Sequence, residues 1–203
     1  MDTAAAALDR LCDPVHEVSA HFLIGHDGQV FQMVDPIQRA WHAGAGSWGG
    51  QADVNSRSIG IELDNNGTCH FPGSLMMALH ALLLDLRHQF DIPPEAVIGH
   101  QDMAPTRKSD PGPLFDWQDL ARAGHAVWPA PAPCDRVDPV RFADDLARFG
   151  YPSAPRDAPL EAVLAAFRDR FRGGATGPLD ATDMGLARDL ATRFPFDRGP
   201  VEA

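Results

Sequence analysis

Gly99-His100-Gln101-Asp102-Met103-Ala104-Pro105-Thr106-Arg107-Lys108-Ser109-Asp110-Pro111-Gly112-Pro113 constrains this chain more than any other stretch. Within 11 residues, from His100 to Asp110, it carries an imidazole able to bind a metal, two carboxylates and an ammonium. Two prolines and a glycine stiffen its exit. Asp110 precedes Pro111, which pushes its backbone toward an extended conformation and keeps it out of a helix. Lys108 is the one lysine in the chain, against 16 arginines. A compact ammonium and a planar guanidinium are not interchangeable at a polarised site. Four chemically able groups this close together point to a site rather than to an ordinary polar turn.

The rest of the chain reads as strands interleaved with helices, an α/β pattern with a mixed central sheet. Asp2 to Cys12 reads as a short alanine-rich helix capped by Asp2 or Thr3 and ended by Asp13-Pro14. Ala20–Ile24 and Gln29–Val34 read as two strands joined by a Gly25-His26-Asp27-Gly28 hairpin turn. His21 in the first strand reads as a structural histidine. Arg39 to Gly50 holds Trp41, Trp48, His42 and four glycines. Indoles stack on apolar faces such as sugar rings and acyl groups, so this loop is a candidate cleft wall. Ser58–Leu63 is an apolar strand broken by Glu62, and a carboxylate there is costly unless paired or used as a general acid or base. Ser74 then caps a helix to about Phe90 whose Leu75, Leu79, Leu82, Leu83 and Leu86 form a core stripe. Ala96–Gly99 is expected to be a short strand delivering His100.

Trp117 to Ala123 reads as a helix capped by Asp116. Trp128-Pro129-Ala130-Pro131-Ala132-Pro133 is extended and semi-rigid. It divides the sequence into residues 1–128, a linker at 129–137, and 138–203, where Pro139–Phe149, Leu160–Phe171 and Thr182–Phe194 make a small three-helix bundle. No catalytic constellation is visible in that bundle, so a binding or packing role is expected for it.

Net charge is -11, with residues 1–128 carrying 7 basic and 16 acidic groups. A chain this acidic, without a basic stripe, is not expected to bind nucleic acid. No apolar run reaches the roughly 20 residues that span a bilayer. No basic-then-apolar leader is visible, and a cytoplasmic location is expected. Cys12, Cys69 and Cys134 are odd in number and far apart. They are expected to be reduced, buried or semi-buried thiols rather than a disulfide framework.

Four motifs in order resemble the type 2 N-acetylmuramoyl-L-alanine amidases, the zinc amidases of bacterial cell-wall metabolism, whose fold animal peptidoglycan recognition proteins share. They are Val18-Ser19-Ala20-His21-Phe22-Leu23-Ile24, Ala40-Trp41-His42-Ala43-Gly44, Ser58-Ile59-Gly60-Ile61-Glu62-Leu63, and Gly99-His100-Gln101-Asp102 through Lys108-Ser109-Asp110-Pro111-Gly112-Pro113. The resemblance covers about residues 4–128. The C-terminal helices resemble, more weakly, the peptidoglycan-binding module that follows some of these amidases, through Phe149-Gly150-Tyr151 and Ala166-Phe167 to Thr182.

The resemblance implies Zn2+ as cofactor, with His100 and Asp110 as the second and third metal ligands. It implies Glu62 as the catalytic glutamate, Lys108 as the transition-state lysine, and Trp41 and His42 in the substrate cleft. The implied substrate is peptidoglycan or its recycled muropeptide fragments, cut between the lactyl carbonyl of N-acetylmuramic acid and L-alanine. One departure stands out. The family's first zinc ligand is a histidine on a strand before the N-terminal helix, and that strand is expected upstream of Met1. His42 or His21 as a substitute third ligand is the second possibility. Two rival readings remain open here: a metal-deficient, non-catalytic peptidoglycan-binding protein, and a different metal hydrolase using His100 and Asp102.

Overall fold

A hairpin closed by Gly28 starts the sheet. β1 (Phe22–Ile24) and β2 (Val30–Gln32) pair antiparallel, with Leu23 opposite Phe31. The Gly28 N–H donates to the Gly25 carbonyl at 2.9 Å, and Gly28 takes a φ of +87°, as an Asp-Gly turn requires. β3 (Ile61–Leu63) lies on the other side of β1 and parallel to it, with Glu62 opposite Leu23. The order β2-β1-β3 makes a mixed sheet, and its middle strand is buried along its length. The structure is a computed structural model that describes residues 4–196.

Helices follow the sequence closely in extent and less closely in how they begin. α1 spans Ala4–Cys12, and the capping expected from Asp2 or Thr3 falls outside the described residues. Asp13 ends it by capping a 3-10 turn at Pro14–His16, its carboxylate accepting from the Val15 N–H. α2 spans Gly73–Phe90 and buries Leu75, Met76, Leu79, Leu83 and Leu86, while Leu82 is only partly covered. Ser74 does not cap it. Pro72 sits at that position, and the Ser74 hydroxyl donates to the His26 carbonyl instead, tying the helix to the hairpin turn. α3 is a single turn, His100–Met103, and α4 is Trp117–Arg122, capped by Asp116 as expected. α5 (Pro139–Phe149), α6 (Leu160–Phe171) and α7 (Ala181–Arg193) complete the chain. Asp138 and Asp180 accept from the first free N–H groups of α5 and α7.

The strand expected at Ala96–Gly99 is not formed. Pro94 opens a 3-10 turn over Pro94–Ala96, and the Val97 N–H closes onto the Pro94 carbonyl. The Gly99 N–H donates to the Asp102 carboxylate rather than to a neighbouring strand. With those donors engaged locally, no ladder can extend through the segment.

Contacts divide the chain into two compact units, residues 1–45 with 53–92, and residues 46–52 with 93–203. The division does not fall at the proline-rich stretch near 129. The first unit holds the sheet, α1 and α2. The second holds α3 to α7 around an aromatic core of Trp48, Phe142, Phe149, Tyr151, Phe167 and Phe171. Trp48 therefore belongs to a core and not to a cleft wall. Its indole meets Phe149 edge-on at 5.5 Å and Tyr151 at 5.2 Å. Cys12 and Cys69 are exposed rather than buried, and Cys134 is half-buried. Among the described residues, no helix is long and apolar enough to cross a membrane.

Gly150 ends α5 at a φ of +138°, and a Cβ there would lie 2.5 Å from the Trp48 Cε2. Gly150→Ala should therefore combine backbone strain with overpacking. The expected loss is on the order of 1–3 kcal/mol in urea denaturation, read as a lower midpoint at unchanged slope.

Candidate active site

The two residues ten apart in the organising segment are brought together. The His100 Nδ1 lies 3.1 Å from the Asp110 Oδ2. Their approach is set by the backbone: the Gln101 N–H donates to the Asp110 carbonyl at 2.9 Å, and the Gly112 N–H donates to the Gln101 Oε1 at 3.2 Å. Gly99, just before His100, has no room for a Cβ, which would lie 2.7 Å from the Pro111 ring. The segment thus folds back on itself as a closed clip. An Arg107 guanidinium N–H faces the His100 Nε2 at 3.4 Å. A guanidinium only donates and an ionised carboxylate only accepts, so the network assigns His100 the neutral tautomer with its proton on Nδ1. Burial, the largest influence on the Asp110 carboxyl, raises its pKa. The hydrogen bond from His100 leads the influences that lower it, with the Asp110 backbone N–H and the Lys108 ammonium beside it, and the balance lies below the usual carboxylate value.

Two donors on one tetrahedral zinc ion, each at about 2.0–2.1 Å, lie roughly 3.3 Å apart. The His100–Asp110 separation matches that spacing, and a divalent ion taken up there would displace the shared proton. Among the described residues, however, no group of three or more His, Cys, Asp or Glu side chains is clustered to hold a metal. The pair fits two corners of a zinc site, and the described residues supply no third.

Asp102 is excluded as the alternative ligand. Its carboxylate is fully buried and committed: Oδ2 accepts from the Gly99 N–H at 2.8 Å and the Arg170 Nη1 at 2.6 Å, and Oδ1 from the Tyr151 hydroxyl at 2.7 Å. α3 is a helical turn rather than the strand that would have set Asp102 beside His100.

Lys108 is half-buried in the second unit, on the same segment as His100 and Asp110, and the remaining candidates lie in the first unit. His21 is structural, as expected. It is fully buried; its Nδ1 accepts from the Gly60 N–H at 2.9 Å and its Nε2 donates to the Gln38 carbonyl at 3.0 Å. Both ring nitrogens are engaged, which removes it as a metal ligand. His42 packs edge-on to His21 with centroids 5.3 Å apart, and its ring rests against the Cα of Gly60, where a side chain would collide. The His42 and Ala43 N–H groups both donate to the Asn55 Oδ1, at 3.0 and 2.8 Å. Trp41 is 54% exposed, with the Arg39 guanidinium over its ring at 5.5 Å. It lines an open groove with Glu17, Val18 and Ser19. Glu62 is half-buried at the centre of β3.

Sequence reasoning missed Asn55, Gln101, Arg107, Tyr151 and Arg170. For Arg170 a signal existed: it falls on the apolar stripe of α6, at helical spacing from Val163, Ala166 and Phe167.

A family model described as N-acetylmuramoyl-L-alanine amidase (Amidase_2) matches residues 1–113. The N-acetylmuramoyl-L-alanine amidase AmiD of Escherichia coli is 35% identical over 210 residues, covering 89% of this chain and 76% of that protein. The structure of AmiD in complex with the substrate anhydro-N-acetylmuramic acid-L-Ala-D-gamma-Glu-L-Lys superposes with a TM-score of 0.86, at 34% identity, covering 95% of this chain and 86% of AmiD. AMPDH3 of Pseudomonas aeruginosa, in complex with an anhydromuramic pentapeptide, superposes with a TM-score of 0.80 at 27% identity, covering 95% and 88%. The 1,6-anhydro-N-acetylmuramyl-L-alanine amidase AmpD of Salmonella typhimurium is 41% identical over 100 residues, 49% of this chain and 54% of that protein.

Tyr151 is the chain's single tyrosine and an internal reporter of the buried network. Burial, then the Asp102 charge, pushes its phenol well above the ordinary value, outweighing the opposing Arg170 charge. The folded state therefore holds this proton more tightly than the unfolded chain. The stability it contributes is complete below pH 10 and declines as pH rises through and beyond 10. Phenolate absorbance near 295 nm should stay absent through pH 10 in the native protein and appear only together with loss of the circular dichroism signal.

Proposed function

Because the chain belongs to the N-acetylmuramoyl-L-alanine amidase family, we propose that it hydrolyses the amide between the lactyl carbonyl of N-acetylmuramic acid and L-alanine, in peptidoglycan or in fragments released from it. Water adds across the C–N bond. The lactyl group leaves as a carboxylate, and the peptide leaves with a free amino group on its L-alanine. The observation that carries this reading is the 3.1 Å His100–Asp110 pair on the segment whose motif resembles the family's metal-binding motif. AmiD was solved with an anhydromuramoyl peptide as substrate, which supports an anhydro-ended fragment as a substrate of this chain.

In this reading His100 and Asp110 would be two of the residues that hold a zinc ion. When bound, such an ion supplies a Lewis acid for the scissile carbonyl and makes water acidic near neutral pH. The Glu62 carboxylate takes the proton of the attacking water and passes it to the departing amine. The Lys108 ammonium, compact and mobile where a guanidinium would be planar and forked, stabilises the oxyanion that develops on the carbonyl. Trp41 offers an indole face to the sugar or its acyl group. His42, braced by Gly60 and Asn55, lies next to Trp41 in the same loop.

The alternative reading is tested by the same measurements. It is a metal-deficient protein that binds muropeptides without cutting them, and relatives named as amidases do not favour it. Metal analysis with turnover separates the two. Stoichiometric zinc and release of free L-alanine amino ends from muropeptides support the amidase; muropeptide binding without zinc or release supports the binding protein.

The roles separate by variant. His100→Ala and Asp110→Ala should lose zinc, whereas Glu62→Gln and Lys108→Met should retain it. The last two should lower kcat by about 10²–10⁴-fold and 10²–10³-fold respectively. Zinc is read with a chromophoric chelator and turnover by amino-end labelling. Equal loss of zinc in all four variants would overturn the assignment.

A further inference from the structure

Helix α6 reaches the metal-candidate pair from both sides. The Arg170 guanidinium, wholly buried, donates from Nη1 to the Asp102 Oδ2 at 2.6 Å and from Nη2 to the Val97 carbonyl at 3.0 Å. Val97 is three residues before His100 and Asp102 two residues after, so one planar group holds both flanks of the histidine. Its face lies over the Trp117 indole at 4.2 Å and near the Phe171 ring at 4.9 Å, which fixes the plane in which its donors point. One helical turn earlier, the Ala166 carbonyl accepts from the Gln101 Nε2 at 3.3 Å. The other end of that amide, Oε1, holds the Gly112 N–H, two residues beyond Asp110. Ala166 and Arg170 are four apart and share a face of α6. From that one face, the flanks of His100 and the exit from Asp110 are both tied down.

We infer that α6 is a positioning element for the His100–Asp110 pair, with Arg170 as its principal positioning residue. The C-terminal helices then set the geometry of the chemistry, beyond any packing or binding role of their own. The physical ground is that a hydrogen-bonding pair between two loop-borne side chains keeps its separation only when the backbone carrying each is held. Both flanks here are held by groups with no freedom to move: a stacked, doubly bonded guanidinium and a mid-helix carbonyl. Partners that orient metal-binding side chains alter metal affinity by about 10–100-fold when removed.

The inference rests on the proposed function only in calling this pair the site of chemistry, and its test is read without turnover. Arg170→Met and Arg170→Lys are made in the full chain. The His100 ring tautomer is read by long-range 1H–15N correlation, with the His100→Gln spectrum identifying its signals. Zinc affinity is read by chelator competition, and folding by cooperative urea unfolding. Arg170→Met should lose the Nδ1–H tautomer and bind zinc at least about tenfold more weakly. Arg170→Lys keeps a cation for Asp102 but cannot also span to Val97, and should fall between wild type and Arg170→Met on both readouts. A folded variant with wild-type tautomer and zinc affinity would overturn the inference and leave α6 as packing alone. If Arg170→Met does not fold, Arg170→Lys decides by the same readouts. A chain without amidase activity that still shows the tautomer change supports the positioning role while defeating the functional reading.

Discussion

A carboxylate with no access to water has to be matched from within the protein, and Asp102 is matched three times over. A backbone N–H, a phenol and a guanidinium converge on its two oxygens. Charges removed from water to this extent give little net stability compared with an apolar replacement, but losing one partner of the set costs about 3–5 kcal/mol. Such a network therefore tolerates few arrangements of its members. The members sit on three stretches: Gly99 and Asp102 at α3, Tyr151 after α5, and Arg170 on α6. Satisfying one buried carboxylate thus draws three separate parts of the second unit into a single geometry.

The surroundings of that network use arginine for more than its charge. Arg170 uses two donors and a stacking face at once. Arg168 does something similar on the same helix, with Nε and Nη2 on Asp183 and further donors on the Gly177 and Pro178 carbonyls. Arg172 joins Asp180 and Asp183. These are tasks for a fork with fixed donor directions, which an ammonium cannot perform. Lys108 sits where such rigidity has no use, on the turn leading to Asp110, and its charge contributes to holding the Asp110 carboxyl below the usual value.

His21 and His100 show how far residue type alone can mislead. Both lie in motifs that resemble one family, and both carry a ring capable of metal ligation. His21 has each nitrogen bonded to backbone and lies buried just before the sheet's middle strand. His100 has a carboxylate on one nitrogen and a guanidinium on the other, at a partly open surface. The distinction is made by the partners on Gly60, Gln38, Asp110 and Arg107, of which the two on His21 are distant in sequence and contribute only backbone.

The sequence by itself determined the strands around the Asp27-Gly28 turn, the three C-terminal helices nearly to the residue, and the joining of His100 and Asp110 in one segment. Each of these follows from interactions within about a dozen residues: turn chemistry, helical periodicity, capping carboxylates and a proline-restricted loop. Tertiary structure alone decided that Ala96–Gly99 is no strand, that Trp48 lies in a core while Trp41 faces solvent, and that Asp102 pairs with Arg170 instead of serving beside His100. Those outcomes turn on which distant group arrives to satisfy a buried donor, acceptor or ring. Arg170 is 68 residues from Asp102, and nothing in local spacing encodes a hydrogen bond closed only when the chain has folded around it.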